Sequence, residues 1–429
     1  MFHHARSENH HVKYHASRTC MVLLALSLFL VSPLREARSS VDLIPLEGKP
    51  IEARLMACTS QGAWDFDIAG QIRSLRATDF IRWGNPANKL AGPVLFLTDG
   101  SRLVADEAFT QLQIKEDEVH FDSKSIGENT RLPLQWIEAI VLTSETNGQR
   151  RDLWLEHLRQ QPRERDVVLM ENEDLLEGTV VALGERELLL LRNSGETLRI
   201  ARQNVKAIAF QPALLERPEP LQQFLILQLS DGSSLRAASW KGNAKNIQVR
   251  TAGGANALTF NIASKGSATR KQIVGLLPIG FESVFLSDLK EAAYQHHPFL
   301  SLHWPYRRDR SVLGERLQTQ SKLYEKGIGM HTDAELTFRL EQPFKRLDGA
   351  VGIDDSAEDQ GSVIFEVDVQ RGDANWNTAF RSRMLRGGEP AEPFSVDLEG
   401  VKGIRLKAGH AVDGDTLDRA NWLDVRLLR

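Results

Sequence analysis

From residue 41 onward, apolar and polar positions alternate in short runs separated by Gly, Asp-Gly and Asn. A period of two broken at turn residues predicts strands joined by tight turns. The runs repeat. VLFLTDGSRL (94–103), VVLMENEDLL (167–176) and LILQLSDGSSL (225–235) each give a strand, an acidic or Asp-Gly turn and a second strand. LPLQWIEAIVL (132–142), IARQNVKAIAF (200–210) and ATRKQIVGLLPI (268–279) each put a polar turn before a closing apolar strand. A degenerate earlier copy runs from IPLEGKPIEARL (44–55) to SLRATDFIRWG (74–84). One helix is expected at 152–161, with Leu153, Leu155 and Leu158 as its apolar positions and Pro162 as its stop.

These repeats predict four units, at 41–84, 93–143, 166–211 and 223–279. Four or five short strands with one long bent hairpin is the content of a small SH3-like or Sm-like barrel. Such a unit buries little surface alone, so neighbours are expected to pack or share sheets. Trp64, Trp83, Trp136 and Trp240 fall about one to a unit and read as core. The units read as a scaffold, or as a surface that binds envelope proteins through exposed strand edges.

After Gly280 the pattern changes. Val363, Phe365, Val367 and Val369 share one strand face, and further strands fit 394–398, 403–408 and 422–428, a sandwich pattern. The expected fold class is therefore all-β: tandem small barrels followed by a β-sandwich at 286–429, attached as a terminal module.

Residues 1–39 read as a signal peptide: a polar, His-rich start with Lys13 and Arg18, an uncharged stretch over 19–34, and small residues near Ser39. The apolar part is shorter than the ~20 residues of a membrane-spanning helix. Secretion or periplasmic residence follows, with no membrane span in the mature chain. His3, His4, His10, His11, His15 and Cys20 would leave with the leader, so Cys58 is the one cysteine expected in the mature protein, as an inert buried thiol. Apolar residues make up 41% and charged residues 26%, and the formal net charge of -4 leaves no cation excess for nucleic acid. Arg307, Arg308 and Arg310 are interrupted by Asp309 and read as a solvated loop.

Several C-terminal motifs occur in order: Leu286-Ser287-Asp288-Leu289, Lys326-Gly327-Ile328-Gly329-Met330-His331, Val351-Gly352-Ile353-Asp354-Asp355, Gly361-Ser362-Val363-Ile364-Phe365, and Asp413-Gly414-Asp415 followed by Asn421-Trp422. On these motifs the final third resembles the NPCBM/NEW2 family of carbohydrate-binding modules. The resemblance implies a galactose-binding-like jelly-roll sandwich that binds a glycan or glycoconjugate, and in several relatives a structural calcium. Where the family usually reads Asp-His-Ala-Asp-Trp, this chain has Asp418-Arg419-Ala420-Asn421-Trp422. A sugar site needs an aromatic face for the C–H side of a pyranose and planar polar groups for adjacent hydroxyls. Trp304, Tyr306, Trp376 and Trp422 are candidate platforms, and His331, Asp354, Asp355, Asn375 and Arg381 candidate polar partners. Each also has a structural reading, core for Trp422 and a local hydrogen bond for His331. Asp413, Asp415 and Asp418 offer oxygens to calcium, or form only an acidic loop. An EF-hand is excluded, because glycine is missing at the sixth position and Asp424 replaces the usual twelfth-position Glu.

No G-x-S-x-G, H-E-x-x-H or phosphate-cradling glycine motif occurs, and His296, His297 and His303 do not match a usual zinc spacing. Glu366 and Asp368 share a strand face opposite Phe365, and the loop acids read as solvated. The expected function is an exported, non-catalytic glycan-binding protein. The alternatives are an envelope scaffold whose sandwich has lost sugar binding, and a glycosidase using a pair such as Asp354 and Asp355.

Overall fold

The computed structural model describes residues 41–86, 92–106, 112–142, 163–243, 246–252, 258–263, 272–298, 302–372, 375–411 and 416–429. The expected leader, the helix at 152–161, and both Asp413 and Asp415 lie outside the described residues.

Strands β1 to β5 are Val41–Pro45, Ile51–Cys58, Trp64–Ile68, Gln71–Leu75 and Phe80–Gly84. Strands β6 to β11 are Val94–Leu97, Arg102–Val104, Gln113–Lys115, Glu118–Ser123, Gly127–Pro133 and Ile137–Val141. Strands β12 to β16 are Asp166–Met170, Leu175–Leu183, Glu187–Leu191, Thr197–Ala201 and Val205–Ala209. Strands β17 to β22 are Phe224–Leu229, Ser234–Ala237, Ser239–Gly242, Asn246–Arg250, Thr259–Ala263 and Ile273–Ile279. In each run the last strand closes antiparallel on the first: β5 on β1, β11 on β6, β16 on β12 and β22 on β17. The first hairpins match bond for bond in the last three runs. Leu97, Met170 and Leu229 each accept 3.0 Å bonds from Gly100, Glu173 and Gly232, and all three donors sit at left-handed φ.

Small barrels leave strand edges with unpaired backbone groups, and here those edges pair with one another. Closing strands meet closing strands, β11 with β16 and β5 with β22. The two pairs are then joined by the second strands β7 and β18, through Ser234 opposite Arg102. This last joint is reciprocal. The buried Ser233 hydroxyl accepts from the Val104 N–H at 2.9 Å, and the buried Ser101 hydroxyl accepts from the Arg236 N–H at 3.0 Å. Arg102 Nε donates to the Gly232 carbonyl at 3.2 Å, while the Arg236 guanidinium lies over Gly100, where a Cβ would meet its Cζ at 2.6 Å. Gly100, at φ +86, is thus required by the turn, while the flexible guanidinium above it could shift aside. The third barrel has Asn172-Glu173-Asp174 in place of Asp-Gly-Ser, and its Leu175 is exposed beside Glu171, Glu173, Asp174 and Glu177. Acids along an edge discourage strand addition.

Cores are aromatic and aliphatic. Phe66 packs against Phe80 and Trp83 with ring centroids 5.8 Å away in each case. Trp64, Trp83 and Trp136 are buried, and the half-buried Trp240 stacks on Trp64 and donates Nε1–H to the Gly62 carbonyl at 2.7 Å. Cys58 is fully buried, and burial followed by the nearby Asp65 charge pushes its thiol up to about 12.

Strands β23 to β29 are Ser283–Phe285, Ala293–His296, Arg307–Arg308, Leu317–Thr319, Lys322–Tyr324, Gly327–His331 and Ala334–Arg339. Strands β30 to β36 are Arg346–Ile353, Ser362–Arg371, Asn377–Arg381, Leu385–Arg386, Glu392–Asp397, Val401–His410 and Arg419–Leu428. They form a two-sheet sandwich. A front sheet runs β25-β28-β36-β30-β34 with β23 also on β36, and a back sheet runs β24-β29-β35-β31-β32 with β33 on β31. Val363, Phe365, Val367 and Val369 point inward. Trp422 does too, because β36 is flanked on both sides. It is 0% exposed, with Phe365 and Phe394 edge-on to it at 5.3 and 5.9 Å, so it is core and no sugar platform.

The sandwich is no loosely appended module. Residues 40–429 form one compact unit. Phe285 joins Ile226, Leu277 and Ile279 in a small apolar cluster. Arg82 of β5 reaches Asp424 of β36, Nε to Oδ2 at 3.0 Å with both side chains buried, as an ion pair without hydrogen-bond alignment. Glu325 gathers Arg316 at 3.0 Å, Gln228 at 3.2 Å and Arg102 at 3.8 Å.

Replacing Ser233 or Ser101 by Ala is expected to cost about 1–3 kcal/mol each, since each change strands a backbone N–H away from water. Equilibrium denaturation checks this against Ser194→Ala, an exposed serine whose loss is expected to stay within about 0.5 kcal/mol. Equal stability of all three variants would refute the reciprocal joint.

Candidate functional site

The chain crosses from the back sheet to the front sheet between β24 and β25, each the edge strand of its own sheet. On β24 the alternation puts Tyr294 and His296 inward, opposite Leu336 and Ala334, and leaves Ala293 and Gln295 exposed. The crossing segment then folds back over them. Tyr294 Oη donates to the Trp304 carbonyl at 2.6 Å, and the Trp304 N–H donates to His296 Nδ1 at 3.2 Å. That second bond leaves Nδ1 as the acceptor nitrogen of His296.

An aromatic cluster results. The Trp304 indole lies parallel to the His331 ring, 5.2 Å between centroids and 9° between planes. Tyr306 meets Tyr294 at 5.0 Å, and His303 lies 6.1 Å from Tyr294 and 5.2 Å from His296. Arg308 sits 5.8 Å above the Tyr306 ring and donates to its hydroxyl at 3.3 Å. Burial raises both phenols above their ordinary value, so both stay neutral and serve as hydrogen-bonding hydroxyls at neutral pH. His303 is exposed, Trp304, Tyr306, Tyr294 and His296 are half-buried, and His331 is buried behind Trp304. Trp304, Tyr306 and His331 are thus brought together, with His331 as the backing of the indole.

Arg307, Arg308 and Arg310 are no solvated loop. Arg308 is held by the Ser287 and Leu289 carbonyls and by Glu291, and Arg307 Nε donates to the Val312 carbonyl. Between them Asp309 pairs with buried Lys326 at 2.8 Å.

Asp354 and Asp355 organise a turn, Asp354 buried and Asp355 half-buried. Asp354 is 2% exposed and accepts from the Ser356 N–H at 3.1 Å, the Ser356 hydroxyl at 2.5 Å and the Asn421 amide at 2.7 Å. Asp355 accepts the backbone N–H groups of Gln320 and Ser321, both at 2.6 Å, and so pins the β26–β27 hairpin tip. Arg419 donates to the Ser356 carbonyl at 2.6 Å. Arg419 and Asn421, where the chain departs from the family pattern, therefore brace the Asp354 turn. The arrangement does not offer Asp354 as a catalytic acid facing a substrate.

Asp418 is 1% exposed, with Oδ1 accepting from the Ser362 N–H at 2.7 Å and Oδ2 from the Thr332 hydroxyl at 3.2 Å. These bonds give Asp418 a structural role in tying β36 to Ser362 and Thr332. Among the described residues no group of three His, Cys, Asp or Glu side chains is arranged to hold a metal. Trp376, Asn375 and Arg381 stand apart from the aromatic cluster, at the β32 side of the back sheet, whereas β24 forms its other edge. Tyr294 and His296 face inward from β24, whereas the Trp376 ring lies over Gly403 on the outward side of β35.

Residues 282–428 match the NPCBM/NEW2 domain family over nearly the whole sandwich. The final third of the chain is an NPCBM/NEW2 domain. The chain is 34% identical over 123 residues to alpha-1,3-galactosidase B of Akkermansia muciniphila, a match covering 28% of this chain and 15% of that protein. The chain thus spans a small part of the length of this curated relative. Among solved structures, CBM51 from Clostridium perfringens GH95 in complex with methyl-galactose is 24% identical, with a TM-score of 0.30, over 34% of this chain and 99% of that one. The CBM51-2 and INT domains of Clostridium perfringens ZmpB, in complex with GlcNAc, are 23% identical with a TM-score of 0.30, over 43% of this chain and 36% of that one. The NPCBM/NEW2 domain is a carbohydrate-binding module, and Tyr294 and His296 are members of the aromatic cluster that the motifs do not include. Their spacing of two along an edge strand was the available signal.

Burial raises the Asp354 carboxyl, and bonds from Ser356 and Asn421 pull it partly back. A carboxyl raised in the folded state contributes stability below its unfolded pKa and loses it as pH rises through the folded value. Asn421→Asp, the family residue, would put a second acid at the 2.7 Å contact in a buried position. It is expected to cost about 2–4 kcal/mol at pH 7.5, and less at pH 5 where one proton can bridge the pair. Thermal unfolding at both pH values checks this; an unchanged Tm at pH 7.5 would show that Asn421 is not needed as a donor.

Proposed function

We propose that this chain is an exported, non-catalytic glycan-binding protein, with its sugar site at the aromatic cluster between the two sheet edges. The observation that carries this reading is the Trp304 indole, stacked at 5.2 Å on buried His331 and flanked by Tyr294 and Tyr306. A ring backed on one side by a fixed partner is preorganised to meet the C–H face of a pyranose on the other. The phenol hydroxyls, Arg308 and His303 supply directional hydrogen bonds at its margin. The names of the galactosidase relative and of the galactose- and GlcNAc-bound modules support a sugar as the ligand class. The leader-like residues 1–39 support export, and the half-buried aromatic rings and neutral phenols described for the cluster are groups suited to holding a sugar. The four barrels then serve as a rigid base, because Arg82 and Glu325 hold the module to them.

Screening the 40–429 protein on a broad glycan array is expected to give binding that Trp304→Ala weakens tenfold or more, about 1.4 kcal/mol or above. The variant is expected to keep the wild-type far-ultraviolet spectrum and cooperative unfolding. Absence of any glycan ligand, or full binding by the folded Trp304→Ala protein, would overturn the assignment.

A further inference from the structure

We infer that the outer face of the back sheet carries a second saccharide-binding surface, centred on Trp376 and suited to neutral sugars. It shares no side chain with the cluster around Trp304. Tyr294 and His296 sit on the inward side of β24, whereas Trp376 lies across the outward side of β31 and β35. The Arg405 guanidinium is 4.7 Å from the centroid of the Trp376 ring. A Cβ at Gly403 would come within 2.9 Å of the far corner of the indole, so the missing side chain at 403 lets the ring settle onto the sheet. Arg405 lies against the ring and Trp376 is half-buried, so part of the indole remains accessible.

The surroundings select the ligand class. Glu366 and Asp368 point outward from β31, Arg405 and Lys407 from β35, Glu335 from β29 and Arg381 from β32. They pair internally: Arg405 with Asp368 at 2.9 Å and with Glu335 at 3.2 Å, Lys407 with Glu366 at 3.1 Å, and Arg381 with Glu366. Thr378 donates to Asp368 at 2.8 Å. Arg339, outward on β29 and opposite Gly403, adds a fourth base to these three acids and three bases; a single excess cation is too little to make the face a polyanion site. Its ion pairs keep unused lone pairs and N–H groups at fixed positions beside a partly accessible aromatic ring, which suits vicinal hydroxyls. Asn375, exposed next to the indole, adds an amide of the same use. A neutral oligosaccharide lying along the sheet is the ligand this combination fits.

The test uses the 40–429 protein labelled with ¹⁵N-tryptophan, with the Trp376 indole signal assigned through Trp376→Phe. Probes are β-1,4-galactotetraose, cellotetraose and lacto-N-tetraose as neutral chains, and tetragalacturonate as an anionic one. At least one neutral probe is expected to shift the Trp376 signal saturably in both the wild type and Trp304→Ala. Affinity for that probe in the Trp304→Ala background is expected to fall at least tenfold with Trp376→Ala and less with Trp376→Phe. Unchanged affinity in folded Trp376→Ala, a response to tetragalacturonate alone, or no response to any neutral probe would overturn the proposal. Persistence of the Trp376 response in Trp304→Ala separates this surface from the one at the sheet edges, whichever of the two fails.

Discussion

Unsatisfied backbone at strand edges is the constraint on which the first two thirds of this protein depend. A barrel of five or six short strands cannot bury enough surface to stand comfortably alone, and its outermost strands keep N–H and C=O groups that need partners. Here the barrels supply those partners to each other. Closing strands pair in twos, and two Asp-Gly-Ser turns cross so that each serine completes the other barrel's strand. The third barrel lacks the turn and carries acids along the equivalent edge, which ends the array instead of extending it.

The last strand, β36, does the corresponding work in the sandwich. Its inward Trp422 organises the core, Asn421 and Arg419 brace the Asp354 turn, and Asp424 meets Arg82 from the barrels. One ten-residue strand thus couples fold, loop conformation and attachment. The same coupling explains why the family's Asp-His-Ala-Asp-Trp can become Asp418-Arg419-Ala420-Asn421-Trp422 without loss of the turn. An amide at 421 donates where a second carboxylate would repel.

Aromatic presentation in the module follows from where the chain changes sheets. The crossing from β24 to β25 lets Trp304 receive support from His331 of one sheet while its own backbone is held by Tyr294 and His296 of the other. Trp376 is supported differently, by a guanidinium and a bare glycine on one sheet face. In both cases a β scaffold holds the ring in place, and a ring so held would lower the ordering cost of the binding proposed for it.

Alternation by itself determined that the chain is all-β, where the hairpin turns fall and which residues of β31 face inward, because the period of two is a local property of extended backbone. Ordered motifs likewise identified the NPCBM/NEW2 domain. Tertiary structure alone decided the rest. Trp304 and Trp422 are both tryptophans in β segments, yet one lies on a sheet-crossing edge and the other on a strand covered on both sides, and no local pattern separates those cases. Asp354 reads as an exposed loop acid, yet the distant Asn421 meets it in a buried contact. Arg82 and Asp424 lie more than three hundred residues apart, so their pairing is set by how the barrels and sandwich dock, a long-range choice that neighbouring residues do not encode.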